Sequence, residues 1–160
     1  MNQLSSLIKP ESIFFLQEAK SDVEILSFVA DQLFEKSIVK DTFKEALLQR
    51  EKKFPTGLPT QGVGVAIPHA EAQFVNQDHV TIAILPQPIP FQMMGMPENH
   101  VDVSIVFLLA LTKSESHLEI LKELMQIIQN PNLLTAILQS QQVDEVLEII
   151  QSFVLSGGNQ

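Results

Sequence analysis

The stretch Val101-Asp102-Val103-Ser104-Ile105-Val106-Phe107-Leu108-Leu109-Ala110 opens in alternation and closes as an unbroken apolar run. Alternation has the period of a strand, and an unbroken run of strand-forming residues means that both faces are covered. A chain built on such a strand needs helices above and below its sheet. At 160 residues and 45% hydrophobic, one domain is enough, and it can bury roughly 70% of the surface its unfolded chain exposes.

Elements to fill that plan follow in order. Ser12 to Gln17 has strand character. Ser21 with Glu24 reads as a capping box, opening a helix to about Lys36 whose Leu26, Val29, Ala30 and Leu33 share one face. A second helix is expected from Asp41 as N-cap, with Phe43, Ala46 and Leu47 inward and Arg50 next in that register. Phe54 to Gly62 holds two prolines and two glycines and reads as an irregular loop. His79 to Leu85 reads as a strand, after which Pro86, Pro88 and Pro90 suit an edge or an excursion from the sheet. Met93 to Pro97 is turn-rich, its methionines serving either as a yielding contact surface or, more commonly, as core filler.

Past Ala110 a helix begins at one of two capping boxes, Thr112 with Glu115 or Ser116 with Glu119, and either places His117 in or near its first turn. Helices from Pro131 to about Ser140, behind an Asn130 cap, and from Val143 to Val154 complete the chain. The predicted fold is α/β, a single mixed sheet of four to five strands with helices on both faces. One domain spans 1–160, with a core at about 12–154 and a flexible tail at 156–160.

Composition narrows the chemistry. With no cysteine there is no disulfide framework, thiolate metal site or cysteine nucleophile, which fits a cytoplasmic location. A net charge of -9 argues against nucleic acid as a partner. The amino terminus lacks a basic region followed by an apolar stretch, and the apolar run to Leu111 falls short of the ~20 residues of a spanning helix, so no direct membrane insertion is expected. No Gly-Lys-Ser/Thr of a P-loop follows the Gly57 to Gly62 region, and neither a Gly-x-Ser-x-Gly elbow nor a His-x-x-x-His spacing is present.

The chemistry-bearing stretch is Gly62-Val63-Gly64-Val65-Ala66-Ile67-Pro68-His69-Ala70. Its small residues suggest close backbone packing, and Pro68 marks the strand's end, so His69 is expected at a strand's mouth, where α/β sheets bind ligands. The blander alternative is a histidine that only caps a turn. His117, at a helix start, lies where free N–H groups favour an anion and where a neutral ring can donate one hydrogen bond, or else it is simply a half-exposed first-turn residue. Arg50 at the rim should meet a carboxylate, a carbonyl or an anion, unless it only complements the helix dipole. Together the three suit a tetrahedral anion. His79 and His100 are read as surface or strand-edge residues.

The segments Arg50-Glu51, Pro55-Thr56-Gly57-Leu58, Gly64-Val65-Ala66-Ile67-Pro68-His69 and Ser116-His117-Leu118 resemble the enzyme IIA domains of the bacterial phosphoenolpyruvate-dependent sugar phosphotransferase system (PTS), fructose-mannitol superfamily. The likeness runs from about Ser12 to Val154. The form Phe54-Pro55-Thr56-Gly57-Leu58-Pro59-Thr60 looks most like the galactitol branch, and Ala70 stands where mannitol- and fructose-type members commonly carry glycine. The resemblance implies that His69 is the phosphoryl acceptor, forming tele-phosphohistidine, with phospho-HPr as donor and a cysteine of a IIB component as acceptor. A membrane IIC component would follow IIB. It further implies that His117 stabilises the phosphoryl group, that Arg50 neutralises its charge, and that no cofactor is needed. Two other readings stay open: a regulatory phospho-sensor of the nitrogen-related type that feeds no transporter, and a metal-dependent hydrolase using His69 and His117.

Overall fold

The computed structural model describes residues 3–113 and 117–155. Five strands form one mixed sheet: β1 (Ile13–Phe15), β2 (Gly57–Leu58), β3 (Gly64–Ala66), β4 (His79–Met93) and β5 (Met96–Ala110). Their order is β1-β4-β2-β3-β5, with β4 and β5 also paired. Helices α1 (Asp22–Glu35), α2 (Phe43–Lys53), α3 (His117–Ile128), α4 (Pro131–Gln139) and α5 (Val143–Leu155) cover it. The expected sheet and its two helical layers are both present.

Strand β5 divides its side chains by the period of two. Ile105, Phe107 and Leu109 pack with α3, α4 and α5, whereas Leu108 and Ala110 pack with α1 and α2. Strand β3 does the same, sending Val65 to the first layer and Ala66 to the other side of the sheet. The unbroken apolar run is therefore one strand serving two cores.

Several boundaries differ from the expectation. Ser21 caps α1 by accepting from Glu24 N–H at 3.1 Å, but the Glu24 carboxylate reaches back to Lys20 N–H at 2.7 Å, one residue before the cap. Helix α2 starts after Thr42, with no side-chain cap from Asp41. Its buried row is Phe43, Leu47 and Glu51, spaced by four, so that Glu51 and not Arg50 extends the inward face. Gly57 and Leu58, expected in an irregular loop, pair with Ala66 and Val65 of β3, and Gly57 also pairs with Met93 of β4. Glycine is needed there because a Cβ on residue 57 would sit 2.6 Å from the Gln92 carbonyl oxygen.

Strand β4 continues past Leu85, where the sequence reading stopped it, and forms a hairpin with β5 whose turn holds Gly95 at φ +77°. The expected excursion is real, since the register shifts between Ile84 and Ile89 and leaves Pro86, Gln87 and Pro88 exposed. Met94 and Met96 flank the turn and are exposed, so they fill no core gap. Thr112 donates its hydroxyl to Asp78, while Glu115 and Ser116, needed for the two capping boxes, and the tail at 156–160 lie outside the described residues. Asn130 caps α4 as expected, its side chain accepting from Leu133 N–H at 3.0 Å. Among the described residues no helix is long and apolar enough to cross a membrane.

Phe107 is wholly buried in the larger core. Phe107→Ala should lower unfolding free energy by about 3–5 kcal/mol, as for other large-to-small core changes, measured by urea denaturation.

Candidate functional site

Strand β3 ends at Ala66, and the chain beyond it stays beside β5 for three more residues. Leu109 N–H donates to the Pro68 carbonyl at 3.0 Å, and His69 makes a parallel bridge with Leu109. Pro68 removes a donor but keeps its acceptor, so pairing outlasts the strand by that one bond. The His69 ring then folds back, with Nδ1 3.0 Å from the Ile67 carbonyl oxygen. A carbonyl can only accept, so Nδ1 carries the proton and Nε2 presents its lone pair.

Ile67 is itself held. Its N–H donates to Thr56 Oγ1 at 3.1 Å, and that hydroxyl donates to Glu51 Oε1 at 2.9 Å, while Thr56 N–H donates to Glu51 Oε2 at 2.8 Å. Glu51 is only 6% exposed. Burial pushes its carboxyl up to about 7, against the lowering effect of the two Thr56 hydrogen bonds. A continuous path of hydrogen bonds thus runs from the end of α2 to the residue that fixes the His69 tautomer. Apart from naming Glu51 beside Arg50, the sequence reading gave it no role.

The structure brings His69 and His117 to one cleft of about 190 Å³, lined also by Ala70, Ala72, Leu109, Leu111 and Leu121. Both arrive by the expected routes, the end of a strand and the first turn of a helix. His117 Nε2 is sealed from solvent and has no hydrogen-bond partner among the described residues. It faces Asp78 Oδ1 at 3.7 Å, and the same oxygen accepts from Thr112 N–H at 2.7 Å and from its hydroxyl at 2.8 Å. Nothing in the sequence singled out Asp78.

Arg50 does not line this cleft but reaches its approach. Its guanidinium pairs with Glu71 at 2.8 Å, two residues beyond His69, and lies over the Phe54 ring at 5.4 Å. The pair is open to water, with side chains 31% and 53% exposed. The Glu71 carboxyl is held below the ordinary carboxylate range by its own backbone N–H first, then by Arg50 and His69. Arg50 therefore meets a carboxylate, one of the partners foreseen for it.

His100 is exposed on β5, as expected, but His79 is not a surface residue. It is 5% exposed, with Nε2 2.9 Å from Ser12 Oγ and Nδ1 3.3 Å from Thr81 Oγ1. As the first residue of β4 it looked like an edge, but the amino-terminal segment covers it. Burial pushes its imidazole down to about 4, with Lys36 adding to the effect. Among the described residues no group of three or more His, Cys, Asp and Glu side chains could hold a metal ion.

Glu51 and His79 act oppositely on stability as pH changes. Folded Glu51 keeps a proton that the unfolded chain releases above about 4.5, so stability falls from there to about pH 7. Folded His79 refuses a proton that the unfolded chain takes below about 6.5, so stability rises from about pH 4 to that point. Each contributes on the order of 3 kcal/mol across its interval, and the two offset each other where the intervals overlap. In Glu51→Gln the falling part should vanish, so urea midpoints should climb from pH 4.5 to 6.5 more steeply than in the parent.

Comparison with known proteins identifies the family. Residues 6–153 match the family model described as "Phosphoenolpyruvate-dependent sugar phosphotransferase system, EIIA 2". The galactitol-specific EIIA component of the PTS of Escherichia coli K12 is 29% identical over 115 residues, which is 72% of this chain and 76% of that protein. A PTS IIA (PtxA) crystal structure from Streptococcus mutans superposes with a TM-score of 0.79 at 20% identity, covering 99% of this chain and 98% of that one. The mannitol enzyme IIA of Escherichia coli, solved in complex with phosphorylated enzyme IIB, gives 0.75 at 23% identity over 91% and 97%. The chain belongs to the EIIA 2 family, whose domains are phosphotransferase components of sugar phosphotransferase systems.

Proposed function

From this membership we propose that the chain is a cytoplasmic phosphocarrier that loads a phosphoryl group on His69 and unloads it to a IIB component. The observation that carries this reading is the hydrogen bond from His69 Nδ1 to the Ile67 carbonyl, which leaves Nε2 as the free nucleophile in the cleft shared with His117. In the first half-reaction the N–P bond of phospho-HPr breaks as a bond forms from phosphorus to His69 Nε2. In the second, that bond breaks as phosphorus passes to the thiolate of a IIB cysteine. The galactitol-specific relative supports sugar-alcohol uptake through a membrane IIC component as the process served.

The phosphoryl group arrives activated, so what the site must supply is alignment and charge stabilisation. Nδ1–H stays on Ile67 throughout and keeps Nε2 aimed at the incoming phosphorus. His117, in the first turn of α3, is the donor to a phosphoryl oxygen. Arg50 exchanges Glu71 for the phosphoryl oxygens, a trade made easy because an exposed ion pair is worth only ~0–1 kcal/mol.

Incubation with phosphoenolpyruvate, enzyme I and HPr should add one phosphoryl mass on His69, attached through Nε2 in nitrogen-15 spectra. Label that persists in His69→Ala would overturn the assignment. His117→Ala should still accept phosphoryl but pass it to IIB more slowly by ~100-fold, comparable to loss of one oxyanion donor. Quench-flow of the two half-reactions separates these steps, and unchanged forward transfer would reduce His117 to scaffold. Arg50→Ala should slow transfer yet keep its urea midpoint, and Arg50→Lys should rescue poorly because the planar fork is lost.

A further inference from the structure

Among the described residues one buried polar side-chain atom is left without a hydrogen-bond partner. That atom is His117 Nε2, which is also sealed from solvent and faces Asp78 Oδ1 at 3.7 Å. A lone pair on Nε2 would be pressed against a carboxylate with no water between, whereas a proton there is attracted to it. We infer that Asp78 is a positioning residue that keeps a proton on His117 Nε2 and so commits Nδ1 as the ring nitrogen that serves the cleft.

This inference rests on the phosphocarrier reading, and it changes what His117 does there. With one proton held by Asp78, the neutral ring offers Nδ1 as an acceptor, which suits an empty cleft but repels a phosphoryl oxygen. Donation to that oxygen takes a second proton, drawn from solvent as the dianionic group arrives. His117 is then a cation flanked by two anions, Asp78 behind and the phosphoryl group in front. On this inference the one donor of the neutral ring is turned to Asp78, and donation to the load needs the second proton.

Asp78 is well placed to do this because its carboxylate is itself fixed. Oδ1 accepts from Thr112 N–H and hydroxyl, which ties the start of β4 to the end of β5, and β5 in turn flanks His69 through Leu109. The same bonds raise the competing possibility that Asp78 only anchors the segment leading to α3. Thr112→Val separates the two, since it removes one of those bonds and leaves the Asp78 charge in place.

The test combines long-range proton–nitrogen correlation spectra of His117 with quench-flow transfer to IIB, in the parent, Asp78→Asn and Thr112→Val. The parent should show the Nε2–H form of His117 when unphosphorylated and protons on both nitrogens once His69 is loaded. Asp78→Asn should lose the Nε2–H preference and slow transfer by roughly 10-fold to 100-fold, the range for partners that orient a functional histidine. Thr112→Val should keep the parent tautomer and transfer within about threefold of the parent rate. An Nδ1–H form in the unphosphorylated parent, or an unchanged tautomer in Asp78→Asn, would overturn the inference. The tautomer is read without any phosphoryl donor, so a failure of the phosphocarrier reading shows separately, as absence of label on His69.

Discussion

The hydrogen bond from His69 Nδ1 to the Ile67 carbonyl decides which nitrogen of the ring can react, and much of the surrounding structure serves to keep that carbonyl still. Ile67 follows the last residue of a three-residue strand, too short to be rigid alone. It is secured on one side by β5, through Leu109 and the Pro68 carbonyl, and on the other by Thr56 and the buried Glu51. Gly64 lets β3 lie against β5 this closely, for a Cβ there would collide with the Asp102 carbonyl oxygen. A bond between a ring and the carbonyl two residues before it would be weak in a loose loop. Here both ends are held.

Adjacent residues of α2 divide the electrostatic work. Successive positions on a helix point about 100° apart, so Glu51 turns into the core row with Phe43 and Leu47 while Arg50 turns toward Glu71 at the surface. The buried carboxyl is committed to Thr56 and does not move. The half-exposed guanidinium is in a pair that water already weakens, and on the proposed function it exchanges partners. One turn of helix thereby carries both the fixed and the exchangeable part of the site.

The layers of the fold were legible because they depend on periodicity, and the run ending at Ala110 could be satisfied only by cover on both faces. His69 and His117 were legible because a proline after an apolar strand and the onset of helical apolar spacing are local signals. What stayed hidden was set by contacts distant in sequence. The pairing of Gly57 with Met93, the cover of His79 by Ser12 and the approach of Asp78 to His117 join residues tens of positions apart. Arg50 was assigned the inward register that Glu51 occupies, since a buried carboxyl contradicts composition rules unless its Thr56 partner is known. The prolines after Leu85 mark an excursion, as read, but a register shift absorbs it and the strand continues beyond them.

The lining of the cleft bears on how a carrier could release what it holds. Among the described residues five apolar side chains line the cleft with the two histidines, so a charge held between them acts through less water than one at an open surface. A site that bound phosphate with several fixed cations in such surroundings would stabilise the loaded state as much as the transition state, and transfer would gain nothing. The arrangement here avoids that outcome. On the proposed function, the single arginine of the sequence, Arg50, is already engaged by Glu71, so each contact it would make to a phosphoryl group is a contact exchanged, and the net hold on the load would stay small. A partner that approaches His69 and competes for Arg50 or Glu71 would tip the balance toward release. On the proposed function, that places control of transfer at the rim of the cleft, where Glu71 is exposed, while the groups that set geometry stay beneath it.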